Sequence, residues 1–232
     1  MHQFDRYFGL SNVETVICGF SELPTPLQLP GYKFYSIGKF KAYPAKKWSD
    51  ALINVLDNVA AEVFILMLED YWLSRPTDKK AIWMIYDYML QFQNVVKFDL
   101  TDERLYSGTP PEGYNQFYWG FNTYDTLGYL DLIKSDPASQ YHMSLWGGMW
   151  RRDLLRELIV PGETAQQIEM SDRIYKHPEW LVLGTRQCPM LHINAVQRGA
   201  WNPHERTGLP GLKSTDREEL RERGYLSGLD TA

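Results

Sequence analysis

Val63-Phe64-Ile65-Leu66-Met67-Leu68-Glu69-Asp70-Tyr71-Trp72 runs through six apolar residues without a break and ends in two adjacent acids before an aromatic pair. A continuous apolar run of this length, rich in branched and aromatic side chains, reads as a strand buried on both faces of a mainly parallel sheet. Ligands of such sheets bind just beyond the carboxyl ends of the strands. Glu69 and Asp70 fall there, where carboxylates can hold a divalent cation and, through it, an anionic substrate. Hard oxygen ligands suit Mg²⁺ or Mn²⁺ bound together with substrate phosphates. On pattern alone the pair fits a structural cap or salt bridge equally well, because acids end many strands.

Outward from this stretch, strands and helices alternate. Residues 13–18 form a short β-type run closed by Gly19, and Pro24, Pro26, Pro30 and Gly31 mark a loop. Residues 34–37 read as a second strand. After Pro44 a helix sets Leu52, Ile53, Leu56 and Val59 on one face, with Ser49 or Asp50 as its cap. Asp78 opens another, whose face is Ile82, Ile85, Tyr86 and Met89, and residues 95–100 form the next strand. Residues 150–159 read as a helix stopped by Pro161-Gly162, and a shorter helix spans 164–170. Residues 181–183 and 190–193 read as strands. The alternation predicts an α/β sheet flanked by helices.

Residues 1–202 read as one domain. Residues 203–232 read as a charged, peripheral tail with a short helix opening at Thr215-Asp216-Arg217-Glu218. Between residues 106 and 141 regular patterning lapses while Tyr118, Trp119, Phe121 and other aromatics accumulate, the composition of a functional loop.

The 44% hydrophobic and 23% charged residues are those of a globular protein. A net charge of −5 disfavours a general nucleic-acid coat. Residues 23–49, however, contain no acid and carry Lys33, Lys39, Lys41, Lys46 and Lys47, a segment that suits phosphates or a solvated strand edge. Cys18 and Cys188 make neither a disulfide framework nor a zinc site, so a reducing cytoplasm is expected. No apolar run approaches the ~20 residues of a membrane span, so no membrane insertion is expected. Nothing in the sequence indicates an oligomeric state.

Glu163 and Glu169 follow the aromatic segment. A carboxylate within reach of an acceptor hydroxyl can take its proton, and acids near helix starts are also favoured by the dipole. His192, in an apolar strand, is a core residue or a metal ligand. Ser144 and Ser171 give no support for a serine hydrolase triad, and no phosphate-cradling or dinucleotide glycine pattern exists; Gly147-Gly148 reads as a tight turn. Arg186 and Arg151 could meet anionic groups or serve ordinary ion pairs.

Several collinear segments then acquire a common meaning. Trp48-Ser49-Asp50-Ala51-Leu52, residues 64–73, Met143-Ser144-Leu145 with residues 150–155, residues 161–169, and residues 183–189 with Asn194-Ala195 together resemble GT-A type glycosyltransferases encoded by bacteria and their phages. The resemblance spans roughly residues 13–201. It implies a GT-A-like, mostly parallel central sheet with its first strand reduced or missing. It also implies a nucleotide-sugar donor and Mn²⁺ or Mg²⁺ at Asp70 and Glu69, a variant of the Asp-x-Asp motif, with His192 as a further candidate ligand. Trp48, Ser49, Asp50 and Arg186 would join the two acids in holding the donor. Glu169, or failing it Glu163, would be the catalytic base. Tyr118, Trp119, Phe121, Trp146 and Arg151 would meet the acceptor. Gln166-Gln167 stands where such proteins often have Trp-Glu.

The expected chemistry is metal-assisted single displacement onto a hydroxyl. The acceptor would be a hydroxymethylated pyrimidine in phage DNA, inside the host cytoplasm, or alternatively a surface or capsular glycan. A non-catalytic nucleotide-sugar-binding module and a nucleotidyltransferase are the competing readings.

Overall fold

A computed structural model describes residues 2–20, 31–101, 123–135, 141–194, 196–197, 200–201 and 214–223. The largest sheet is assembled from β3 (Val63–Leu66), β5 (Val95–Asp99), β6 (Asp125–Leu127), β7 (Leu130–Lys134), β8 (Gly148–Arg151) and β9 (Leu181–Thr185). Their order is β3-β8-β5-β9-β7-β6. Only β5 and β9 pair in parallel; the other four pairings are antiparallel. The fold is therefore mixed α/β, and the expectation of a mostly parallel sheet is corrected. A separate parallel pair joins β1 (Thr15–Gly19) to β2 (Tyr32–Ser36), and β4 (Tyr71–Leu73) runs antiparallel to β10 (His192–Asn194). A two-residue ladder pairs β11 (Val196–Gln197) with β12 (Ala200–Trp201).

The apolar run from Val63 is also not a strand fully buried on both faces. β3 lies at the edge of the sheet, ends at Leu66, and only Val63 in it is buried. β5 and its neighbour β8 are the strands buried along their whole length, although β5 contains Lys97 and Asp99 and β8 ends in Arg151. An apolar run reports burial of alternate faces but not position within a sheet. Here alternate residues of β3 serve two cores: Val63 and Ile65 face one, Phe64 and Leu66 the other.

Helices cover both faces. On the first, α3 (Lys79–Gln91) buries Ala81, Ile82, Ile85 and Met89 against Phe98, Leu132, Met149 and Leu183. Each of its large apolar side chains contributes on the order of 1.5–3 kcal/mol. Its start matches the sequence pattern, since the Asp78 carboxylate accepts from the Ala81 N–H at 3.0 Å. On the second face, α2 (Trp48–Asn58), α4 (Arg152–Leu158) and α5 (Ala165–Glu169) pack Leu52, Leu56, Leu155, Leu158 and Ile168 on Val96, Trp150 and Val182. Thr164 caps α5 in a reciprocal capping box with Gln167.

Trp150, expected to open a helix, is instead a fully buried residue of β8, and α4 begins two residues later. The described part of the tail, residues 214–223, is not peripheral. Its helix α6 (Ser214–Glu222) buries Leu220 against Trp72 and Ile193. The Asp216 carboxylate accepts from the Tyr7 hydroxyl at 2.7 Å, tying α6 to α1 (His2–Tyr7).

Candidate functional site

β3 and β5 both run antiparallel to β8, and β9 runs parallel to β5, so these three strands end along one edge of the sheet. Beyond β3 the chain leaves the sheet through Met67 and Leu68 and turns sharply. The Tyr71 N–H donates to the Leu68 carbonyl at 3.2 Å, which makes Glu69 and Asp70 the two central residues of the turn. Glu69 is exposed, whereas Asp70 is half-buried. The Asp70 Oδ1 is buried and has no hydrogen-bond partner among the described residues. Burial raises the Asp70 pKa, and the Glu69 charge raises it further.

Glu169, the last residue of α5, faces the same place. Its Oε1 accepts from the Leu145 N–H at 2.8 Å. Burial raises its pKa, the Leu145 N–H and Lys97 oppose that shift, and the Asp70 charge adds to it. The Asp70 charge therefore reaches Glu169, and the packing of Trp146, next to Leu145, on Tyr71, next to Asp70, joins the two segments. A carboxylate whose pKa is lifted toward neutrality by desolvation is a better proton acceptor at physiological pH than an ordinary surface acid.

Beneath them lies a polar core that sequence reasoning missed. Lys97 and Asp99, both fully buried, form an ion pair, and the Lys97 Nζ lies 5.1 Å from the Trp150 ring centre. Lys97 also donates to the Ser144 carbonyl at 2.5 Å. The Ser144–Leu145 peptide group is thus held at both ends, its oxygen by the Lys97 ammonium and its N–H by the Glu169 carboxylate. Hydrogen bonds in such a chain polarise and strengthen one another. A Cβ at Gly148 would stand 2.7 Å from the Lys97 Cε, so the strand carries glycine where the lysine stem passes. The one signal for the pair was a lysine two residues before an aspartate in a strand, which sets both on one face.

An aromatic wall stands beside the acids. Tyr71 and Trp146 have ring centres 5.1 Å apart, and the His192 ring lies edge-on to both, at 5.0 and 5.1 Å. His192 is placed by the pairing of β10 with β4. Among the described residues no group of three or more His, Cys, Asp or Glu side chains could hold a metal ion. The expected ligand set of Asp70, Glu69 and His192 is therefore corrected: the histidine is part of the wall. The two acids alone still fit a hard cation. A divalent ion there would satisfy the orphaned Asp70 oxygen and relieve the repulsion from Glu69, with the rest of its shell left to water or substrate oxygens.

Other expected site residues are occupied elsewhere. Glu163 makes a two-pronged ion pair with Arg173, at 2.8 and 2.6 Å. Ser49 is buried and does not cap its own helix; its Oγ accepts from the Glu163 N–H and its N–H donates to the Glu163 carbonyl. The Asp50 carboxylate accepts from the Gly162 N–H at 2.8 Å. Ser49, Asp50 and Glu163 thus fasten α2 to the 162–163 turn, with the half-buried Trp48 opening that helix against the second core. A wide-open hollow of about 570 Å³ lined by Glu163, Gln166, Gln167, Met170, Ser171, Asp172 and Arg173 includes neither Asp70 nor Glu169.

Arg151 is corrected outright. It pairs across from Val63 at the opposite edge of the sheet, buried, and donates to Glu62 at 2.6 Å, to Gln93 at 2.9 Å and to the Met89 and Phe92 carbonyls at the end of α3. Its charge is spent on a helix C-terminus. Arg186 follows β9, three strand spacings or about 14 Å from β3. Tyr118, Trp119 and Phe121 lie outside the described residues. Among the described residues no helix is long and apolar enough to cross a membrane. No family model, curated protein or solved structure matches the chain.

Proposed function

We propose that this chain is a glycosyltransferase that moves a sugar from a nucleotide-sugar donor to a hydroxyl acceptor, with a hydroxymethylated pyrimidine in DNA as the acceptor. The observation that carries the reading is that Asp70 and Glu169, 99 residues apart in the chain, belong to one cluster at the carboxyl edge of the sheet: Glu169 holds the Leu145 N–H, and the next residue, Trp146, packs its ring on Tyr71 beside Asp70. Glu169, its carboxyl desolvated and aimed by the Leu145 N–H, accepts the proton of the acceptor hydroxyl. The oxygen attacks the anomeric carbon as the bond from that carbon to the diphosphate oxygen breaks. The electron pair leaves with the nucleoside diphosphate, and the anomeric configuration inverts.

Asp70 and Glu69 would hold a divalent cation, which when bound neutralises charge developing on the leaving diphosphate. The half-buried Trp146, backed by the buried Tyr71, offers a ring face to a sugar or a base, and a base turned out of the helix would stack there. The acid-free lysine segment favours DNA over a neutral glycan, because DNA binding depends on phosphate contacts.

The test is incubation with Mn²⁺, a panel of nucleotide sugars, and plain or hydroxymethylated DNA, read by mass spectrometry. A mass gain of one sugar on the modified DNA is expected, abolished by Asp70→Asn and by Glu169→Gln. Tight nucleotide binding with no transfer to any acceptor would refute the reading in favour of a binding module. Release of pyrophosphate instead of nucleoside diphosphate would make it a nucleotidyltransferase.

A further inference from the structure

A second feature lies outside the acidic site. Gly19 ends β1 and Ser36 ends the parallel β2, and the residues that follow each strand meet. Phe20 lies edge-on to Phe40 with ring centres 5.2 Å apart, and Tyr43 stands 5.9 Å from Phe20. Phe40 is 65% exposed, the most exposed large apolar side chain among the described residues. Two short 3-10 turns, Phe40–Ala42 and Ala45–Lys47, carry the chain past these rings into α2. Lys39 and Lys41 flank Phe40, and Lys46 and Lys47 follow one turn later; all four are exposed, and none forms an ion pair among the described residues. Lys33 differs, being paired with Glu14.

Four ammonium groups within nine residues, with no ion pair among the described residues, repel one another, and an exposed phenyl ring between Lys39 and Lys41 is poorly hydrated. In a chain of net charge −5 this local excess stands out. We propose that the Phe20–Phe40–Tyr43 shelf and Lys39, Lys41, Lys46 and Lys47 bind single-stranded or locally unpaired nucleic acid. The lysines would take successive backbone phosphates, and an unstacked base would lie on the Phe40 face. Aromatic platforms beside a basic track are how strands are held without regard to sequence. The rings are fixed rather than free to insert into a lipid surface: Phe20 braces Phe40 at right angles, and the Tyr43 hydroxyl accepts from the Asn54 amide at 3.3 Å. The inference deepens the DNA-acceptor reading and rests on it for its purpose, but not for its measurement.

Binding is read by fluorescence anisotropy of a labelled thymidine oligonucleotide of about 15 nucleotides, a length within the site sizes of such surfaces, with no donor or metal present. Affinity should fall with salt at a log–log slope of about −3, from four phosphates at ~0.7 each. Replacing the four lysines by alanine should flatten the slope and cost at least tenfold in affinity. Phe40→Ala should cost about fivefold to a hundredfold while keeping the slope, as loss of one base stack does. Lys176→Ala, an exposed lysine elsewhere, should change nothing.

The proposal fails if the oligonucleotide does not bind at low salt, or if binding survives the lysine replacements. It fails equally if thymidine monophosphate competes as well as the oligonucleotide, or if anionic lipid vesicles bind at this surface and the oligonucleotide does not. Oligonucleotide binding without any sugar transfer would refute the catalytic reading and leave the shelf. Transfer to a glycan without oligonucleotide binding would refute the shelf and leave the catalysis.

Discussion

Glu163 precedes one short helix and Glu169 ends it, six residues apart, and the fold treats them oppositely. Glu163 has both oxygens on Arg173 and its backbone locked to Ser49, so its charge is fully matched and its position fixed. Glu169 receives one backbone N–H, faces the Asp70 carboxylate and has its pKa raised by burial. A carboxylate satisfied by a bidentate guanidinium is a poor base, because taking a proton would break the pair. One that is desolvated and near another acid gains by taking a proton. The choice between them therefore lies in their partners and not in their spacing.

The largest effects should separate the two directly. Glu169→Gln keeps the shape and can still meet the Leu145 N–H through its amide oxygen, yet cannot accept a proton. Sugar transfer should fall by about 10²–10⁴-fold with the melting temperature little changed. Glu163→Gln should leave the rate within a few-fold. A rate loss of similar size in Glu163→Gln would reverse the assignment.

Next in size is the support beneath Glu169. Lys97→Met strands Asp99 in the core, which should destabilise the fold by about 3–5 kcal/mol. For a chain of this length that is a fall of roughly 6–20 °C in melting temperature. The double variant Lys97→Met with Asp99→Asn should recover most of the loss in thermal melts. Because Lys97 also holds the Ser144 carbonyl, the double variant should fold yet still transfer sugar more slowly than the parent. Full activity there would show that the peptide clamp does not matter.

Legibility followed the same division between pattern and partner. The helix from Asp78 could be read because its cap and its 3.6-residue apolar face are local features. β8 could not: Gly147-Gly148 imitates a turn, and Trp150 with Leu154 imitates a helix face, whereas Gly148 is in a strand to let the Lys97 stem pass. The hairpin of β6 and β7 was hidden inside an irregular segment, its turn made by Gly128 at φ +60°. An apolar run and an alternation of strands and helices suggest a parallel sheet, but strand direction is set by which strands pair, and β8 inserts between β3 and β5 from far along the chain. Of the site, Asp70 and Glu169 were visible as acids at element ends. Lys97 and Asp99 were not, because charged residues read as solvent-facing until a partner is known.

Smaller is the effect of unlocking the matched side of the comparison. Glu163→Gln leaves the half-buried Arg173 guanidinium with a neutral partner, and the expected cost is about 1–3 kcal/mol of stability, seen as an earlier urea midpoint. Arg173→Met with Glu163→Gln should cost less than the two single changes added together, since they share one interaction.

The smallest effect concerns pH, and its direction distinguishes the two regions. The Asp70 and Glu169 carboxyls are raised in the folded protein. Between the ordinary carboxylate range, about 4, and their raised values, the native state holds more protons than the unfolded chain. Stability must then fall as pH rises through that window, so the penalty is larger at pH 7 than at pH 4. Asp70→Asn removes its own share and relieves Glu169. The variant should therefore be more stable than the parent at pH 7, with their urea midpoints converging as pH falls toward 4. Mn²⁺ should raise the midpoint of the parent at pH 7 and leave Asp70→Asn unmoved. Parallel midpoint curves over that range would mean that Asp70 carries no strain in the folded state. The acid at the end of Val63-Phe64-Ile65-Leu66 would then be as well matched as Glu163.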